Sequence, residues 1–320
     1  RIRVLSLERS CGAPSYHGAL CIEDEGESLL LINEVNMEDY VAGVIPGEMP
    51  VSYGAEALKV QAVCARTFGM RALGTTFRDY PANLDDTVSS QVYNNQEECE
   101  ESIQAASATR GQVLQNTEGL TATYFFSTSC GHTSDAADVW YSGGDSDDDE
   151  AVSVFLSDDS VELQLMQEED FRRFINMEDG TSYFEQDLPW FRWQVFIAAE
   201  DIRNSAAAVC QTDIGELEDI TVLERAESGL LKAIQLHGSL NSCTVYGEYK
   251  IRQIFSPANA ELMPQSGESV TGWSLLPSGY FYMDAMIEDG ICEGYLIHGG
   301  GYGHGCGMSQ NGAMKMAEMG

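Results

Sequence analysis

The run Pro46-Gly47-Glu48-Met49-Pro50, followed by Ser52 and then Ala55-Glu56-Ala57-Leu58-Lys59, decides how this chain is read. Ahead of it, Asn36-Met37-Glu38-Asp39-Tyr40 has the make-up of a helix start and predicts a short helix through Val44. The two prolines then predict a stiff loop, because each fixes its own φ and Pro50 also restricts Met49. Ser52 is placed to cap a second helix over roughly 53–73, with Glu56 in its first turn. Ala55, Leu58, Ala62 and Ala65 fall at helical spacing and predict one buried stripe, its many alanines implying a close neighbour.

Outward from this stretch, strands are expected at Ile2–Leu5, Ala19–Ile22, Leu29–Ile32, Val113-Leu114 and Ala122–Phe126, and a short helix over 100–109. The acidic run at 143–150 reads as a solvated loop. Beyond it, a helical piece (Asp170–Met177) and strands (Asp219–Glu224, Leu230–His237) suggest an inserted module, before strand Tyr280–Ile287 and a glycine cluster from His298 to Gly312. The expected class is α+β. One domain would be assembled from both chain ends, 1–145 and 275–320, with a second α+β domain, 146–274, inserted between them.

With 320 residues and 43% hydrophobic side chains, the chain can bury a sizeable core. Its 17 basic and 51 acidic residues leave a net charge of −34, which repels phosphate backbones and argues against nucleic acid and anionic membrane as partners. No apolar run approaches the ~20 residues that span a bilayer. The chain opens on Arg1, which fits an N-terminal segment removed upstream, and the closing stretch to Gly320 reads as an unfinished helix. Cys11 and Cys21 flank a turn-rich segment; they would close a hairpin disulfide in an oxidising habitat and stay thiols in a reducing one.

Four features carry candidate chemistry. Glu48, in its rigid setting, would have its pKa raised by apolar neighbours as a general acid requires, or be a surface carboxylate like many others here. Lys59 and Arg66, two helical turns apart, are either ion-paired stems or a positive island for a carboxylate-bearing substrate. Cations beside Glu48 would lower its pKa, so as substrate ligands they should sit nearer the substrate than the acid. In the loop Ser127–Thr133, short hydroxyls suit sugar hydroxyls, and Cys130 with His132 invites a nucleophile reading that lacks a third, orienting group. The glycine cluster fits no nucleotide-binding pattern; its glycines admit close backbone approach, while His298, His304 and Cys306 form an alternative metal set against a structural default.

Together these motifs resemble the stage II sporulation protein D (SpoIID) and amidase enhancer family. The resemblance is carried by Asn36–Tyr40 with Val44, Glu48-Met49-Pro50, Glu56–Lys59 with Gln61-Ala62-Val63, and Ala65-Arg66-Thr67. Gln91-Val92-Tyr93, Thr109-Arg110-Gly111, the loop Ser127–Thr133, Trp140 and Gly305–Ala313 continue it in order, with Ser228-Gly229 and Gly247 before Ile251-Arg252 resembling a second region. It implies a lytic transglycosylase that cuts peptidoglycan glycan strands, preferably peptide-free ones, to 1,6-anhydromuramyl products during forespore engulfment. A non-catalytic wall-binding module that enhances an amidase is the alternative.

By the same resemblance Glu48 is the catalytic acid, and Lys59, Arg66, Tyr124, Ser127, Ser129, His304, Ser309 and Gln310 bind substrate. No cofactor is implied. The partners are glycan strands, a cell-wall amidase and a membrane scaffold of the engulfment machinery, and the location is extracytoplasmic, anchored through a segment before Arg1. Some clostridial members bind zinc just before the Gln-x-Tyr motif. Here Tyr80, Asp85, Ser89 and Ser90 stand at those positions, so no zinc is expected there.

Overall fold

The computed structural model describes residues 1–77, 80–142 and 152–320 of the chain. The acidic run 143–150, and with it the expected boundary at 145/146, lies outside the described residues. Two compact units emerge: 1–123 with 316–320, and 124–315. The sequence expectation drew its lines at 145/146 and 274/275; the units divide at 123/124 and 315/316.

The first unit opens with four short strands, β1 (Ile2–Arg3), β2 (Ser15–Tyr16), β3 (Ala19–Asp24) and β4 (Leu29–Glu34), paired antiparallel as β1–β2 and β3–β4. Helices α1 (Met37–Glu48), α2 (Ala55–Ala72) and α3 (Glu100–Ala108) pack on one another, and a small hairpin follows, β5 (Gln115–Asn116) with β6 (Gly119–Leu120). Asn36 caps α1, its side-chain oxygen accepting from the Glu38 and Asp39 N–H groups at 3.1 Å each.

Three local expectations change. Helix α1 does not stop at Val44: it runs through Pro46 and Gly47, so Glu48 is its last residue rather than part of a loop. Ser52 lies in a 3-10 turn, Val51–Tyr53, and Gly54 precedes α2 without a side-chain cap. Leu58, Ala62 and Ala65 are buried as the stripe predicts, whereas Ala55 at the helix start is exposed. Cys11 and Cys21 are free thiols.

The second unit begins with β7 (Phe125–Phe126), α4 (Ala136–Val139) and α5 (Glu168–Ile175). It continues with β8 (Trp193–Ala198), α6 (Ala199–Cys210), β9 (Leu217–Arg225), β10 (Leu231–Gly238), β11 (Ser242–Tyr246), α7 (Glu248–Ile254) and β12 (Met263–Pro264). The chain closes through β13 (Phe281–Glu288), β14 (Ile291–Gly299), β15 (Met308–Ser309) and α8 (Gln310–Met319).

One antiparallel sheet has the order β12-β8-β14-β13 and another the order β11-β10-β9, while β15 pairs with β7 in parallel. The pairing of β14 with β8, Gly299 opposite Trp193, places the stretch after 275 in one sheet with residues of the module expected at 146–274. Strand β8 alternates buried Trp193, Val195 and Ile197 with outward side chains; these join Ile234, Leu236, Phe255 and Phe281 in an apolar core. A Cys210–Cys243 disulfide ties the end of α6 to β11. The molecule is thus α+β, as its sequence pattern indicates.

Candidate functional site

Glu48 owes its position to two glycines on one face of α1. A Cβ at Gly43 would fall 2.7 Å from the Tyr93 ring, and one at Gly47 would fall 2.9 Å from the Val92 carbonyl oxygen. Their bare backbone lets the segment 91–94 lie directly on the helix. The Val92 N–H then donates to Glu48 Oε1 at 2.6 Å. Met49 beside it is fully buried, and Tyr40, two turns back on α1, donates its hydroxyl to Gln91 Oε1 at 2.8 Å. Burial raises the Glu48 carboxyl above its usual range, and the Val92 N–H acts against that rise without cancelling it. The negative charge of Glu48 in turn opposes ionisation of Tyr40, after burial, the larger cause. The result is a carboxyl biased toward its protonated form, as a proton donor needs.

Lys59 and Arg66 part company despite their spacing. Lys59 lies partly exposed and pairs with Glu56 at 2.6 Å. Arg66 is 1% exposed and its guanidinium is saturated: it grips Glu38 through Nε at 3.0 Å and Nη2 at 2.7 Å, and donates to the carbonyls of Ala106 and Gln112. Burial works to raise the Glu38 carboxyl, yet the Arg66 contact carries it below its usual value. Arg66 therefore joins α1, α2 and α3, the structural alternative weighed above. Its partner Glu38 sits in the first turn of α1, where the pattern of helical spacing on α2 gave no sign of it.

In the second unit the hydroxyl loop is drawn inward. Glu185, fully buried, accepts from the Ser129 N–H at 2.9 Å, Ser129 Oγ at 2.6 Å and Ser309 Oγ at 2.9 Å. Burial pushes its carboxyl up to about 7, and the serine donors only moderate that rise. Ser129 and Ser309 spend their hydroxyls on this carboxylate, whatever else they contact. The Ser127 carbonyl accepts from the Asn311 N–H at 3.0 Å and its side-chain amide at 3.1 Å, which ties the loop to the start of α8 beside largely buried Gln310. The Tyr124 ring lies 4.3 Å from that of Trp140, and His304 stands 5.7 Å from Trp140, centroid to centroid. Sequence reasoning missed Glu185, because nothing in its local pattern sets it apart from the other acids.

The Cys130 and His132 nucleophile reading finds no support in the geometry. Burial pushes the Cys130 thiol up to about 12, away from thiolate, and its Sγ faces the His132 carbonyl at 3.8 Å. His132 engages the Thr133 carbonyl through Nδ1 at 2.6 Å, packs edge-on to Phe155 and is pushed down to about 4 by burial. The glycine cluster serves close approach, as expected: a Cβ at Gly305, where φ is +82°, would fall 2.2 Å from the Tyr280 hydroxyl. His298 stacks on Tyr282 at 5.0 Å, whereas His304 accepts through Nδ1 from the Cys306 N–H at 3.1 Å. Among the described residues no three His, Cys, Asp or Glu side chains converge in a way that could hold a metal ion.

A two-unit α+β chain carrying a half-buried, helix-terminal glutamate and a glycine-rich closing loop is the class that fold and site define. Residues 25–116 match the family described as Stage II sporulation protein, and residues 144–307, just over half of the chain, match the Domain of unknown function (DUF8618). The chain belongs to the family of that domain of unknown function, which falls within its second unit, and its first unit is similar to the Stage II sporulation protein family over residues 25–116.

Among curated proteins it is 26% identical to the amidase enhancer of Bacillus subtilis (strain 168), over 87% of this chain and 37% of that one. It is 32% identical to stage II sporulation protein D of Bacillus amyloliquefaciens over 35% of this chain and 37% of that one. An uncharacterized protein of Brachyspira hyodysenteriae shares 38% identity over 39% of this chain and 34% of its own. The chain spans just over a third of the length of these relatives.

Proposed function

We propose that this chain is a peptidoglycan lytic transglycosylase with Glu48 as its one catalytic carboxyl, acting at the cell envelope during engulfment in sporulation. The observation that carries the reading is the seat of Glu48: half-buried at the end of α1, accepting from the Val92 N–H, and raised toward the protonated form. Glu48 gives its proton to the oxygen joining N-acetylmuramic acid to N-acetylglucosamine, and the C1–O bond breaks. Positive charge develops at C1. The muramyl C6 hydroxyl attacks C1 and closes the 1,6-anhydro ring, returning its proton to the Glu48 carboxylate. No water enters, so the second carboxylate of ordinary glycosidases is not needed. Lys59, with its partly exposed ammonium, suits the substrate's lactyl carboxylate better than Arg66, whose donors are already engaged.

The partners in this reading are glycan strands stripped by a cell-wall amidase, together with a membrane scaffold; the location is extracytoplasmic, with anchoring through a segment preceding Arg1. The Cys210–Cys243 disulfide favours an oxidising compartment. The test is to incubate the chain with peptide-free glycan and measure anhydromuramyl ends by mass spectrometry. Wild-type product that vanishes in Glu48→Ala, with the melting curve kept, is the expected result; equal product from both proteins would refute the assignment.

A second reading is favoured by the alignment with the amidase enhancer over 87% of this chain: a non-catalytic module that binds wall and stimulates an amidase. It predicts amidase stimulation that survives Glu48→Ala and no anhydromuramyl product from either protein.

A further inference from the structure

The second unit holds a cleft of about 350 Å³ that the proposed chemistry leaves unused. Its rim is aromatic. Trp140 just after α4 is 50% exposed, and Tyr246 and Tyr249, on either side of the turn from β11 into α7, are 42% and 57% exposed. Such rings normally turn inward, and three of them around one hollow mark a place where something flat is met.

The cleft is also built rather than incidental. Tyr141 meets Tyr246 edge-on with centroids 6.1 Å apart, donates its hydroxyl to Glu224 at 2.8 Å, and lies under Lys232 Nζ at 4.3 Å. Gly247, with φ at +88°, has no side chain to strike the Tyr141 carbonyl, which a Cβ there would approach to 2.8 Å. The disulfide at Cys210, itself part of the lining, ties α6 to β11.

Beside Tyr249 stands Lys250, exposed and lining the cleft. Lys232 nearby is paired with Asp138 at 2.8 Å and Glu224 at 2.9 Å, but Lys250 has no carboxylate within ion-pairing distance among the described residues. In a chain with 51 acidic and 17 basic residues, an exposed cleft lysine with no ion pair among the described residues complements a negative ligand.

We propose that this cleft binds a carboxylate-bearing pyranose, its ring laid against Tyr249 and Trp140 and its carboxylate paired with Lys250. The volume lies at the small end of ligand pockets, about 300–1,000 Å³, and suits a sugar unit rather than a folded partner. The sugar is the N-acetylmuramic acid of a glycan strand, an identity that rests on the peptidoglycan reading above.

The test titrates the full chain, as Glu48→Gln so that no ligand is cut, with N-acetylmuramic acid and with N-acetylglucosamine, which lacks the lactyl carboxylate, using saturation-transfer NMR and calorimetry. The muramyl sugar should bind at least fivefold tighter. Lys250→Met should erase that preference while leaving N-acetylglucosamine binding in place, Lys250→Arg should keep it, and Tyr249→Ala should weaken both sugars, all with unchanged melting curves. Binding of neither sugar, a preference that survives Lys250→Met, or tighter capture of a polyglutamate peptide overturns the proposal. If Lys250→Met and Tyr249→Ala bind both sugars as the parent does while the native chain still yields anhydromuramyl ends, the cleft fails alone. If the cleft behaves as stated but Glu48→Ala cuts as well as wild type, the transglycosylase reading fails alone.

Discussion

Glu48 titrates where burial puts it. A general acid works only while protonated, so under the proposed chemistry the rate of glycan cleavage falls as pH rises through the Glu48 pKa. Because desolvation raises that pKa, the alkaline limb of the kcat/KM profile should lie above the range of an ordinary glutamate; a limb at or below that range would contradict the burial argument. Arg66 and Lys59 make the opposite pair to their first appearance. Removing the buried Arg66 guanidinium leaves half-buried Glu38 and the buried Ala106 carbonyl without their charged donor, so Arg66→Met should cost about 1–3 kcal/mol in urea unfolding. Lys59→Met breaks a surface pair worth at most about 1 kcal/mol. Equal stability losses would undo the assignment of Arg66 as a tie between helices.

At the scale of elements, the glycine cluster after β14 works by what it omits. Gly305 sits at positive φ with the Tyr280 hydroxyl where its Cβ would be, and Tyr280 is itself hydrogen-bonded to Ser134 at 2.6 Å. Gly267 shares the positive φ but has open space around it. Gly267→Ala should therefore cost only the left-handed strain, about 1–2 kcal/mol, while Gly305→Ala adds overpacking of about 1–3 kcal/mol; thermal melts of the two variants compare them directly. The length of α1 belongs to the same scale. Its Asn36 cap is legible in the sequence because capping is a local event, but the two prolines hid its end. Helix geometry continues through Pro46 to the Glu48 carboxyl, which the neighbouring segment 91–94 then engages.

For the molecule as a whole, Glu185 sets a pH response. Its carboxyl titrates near 7 when folded, against an ordinary value of 4.5, so the native state holds a proton that the unfolded chain releases between those two points. Stability contributed at this site is therefore complete below about pH 4.5 and declines as pH rises to about 7, by about 3 kcal/mol. Glu185→Gln should flatten that decline in melting temperature between pH 5 and 7.5 relative to wild type; parallel curves would show that the carboxyl is not held neutral.

The amino-acid order alone determined the α+β class, the helical stripe of Leu58, Ala62 and Ala65, the places of β1, β3, β4, β7, β9, β10 and β13, and the singling out of Glu48, because period, capping and punctuation act over a few residues. Only the tertiary structure decided that Arg66 is consumed by Glu38, that Ser129 and Ser309 serve Glu185, and that Cys210 rather than Cys11 forms a disulfide. Those outcomes depend on which side chains from distant stretches share a dry interior, where a charge or hydroxyl must find its partner, and residue spacing carries no record of that.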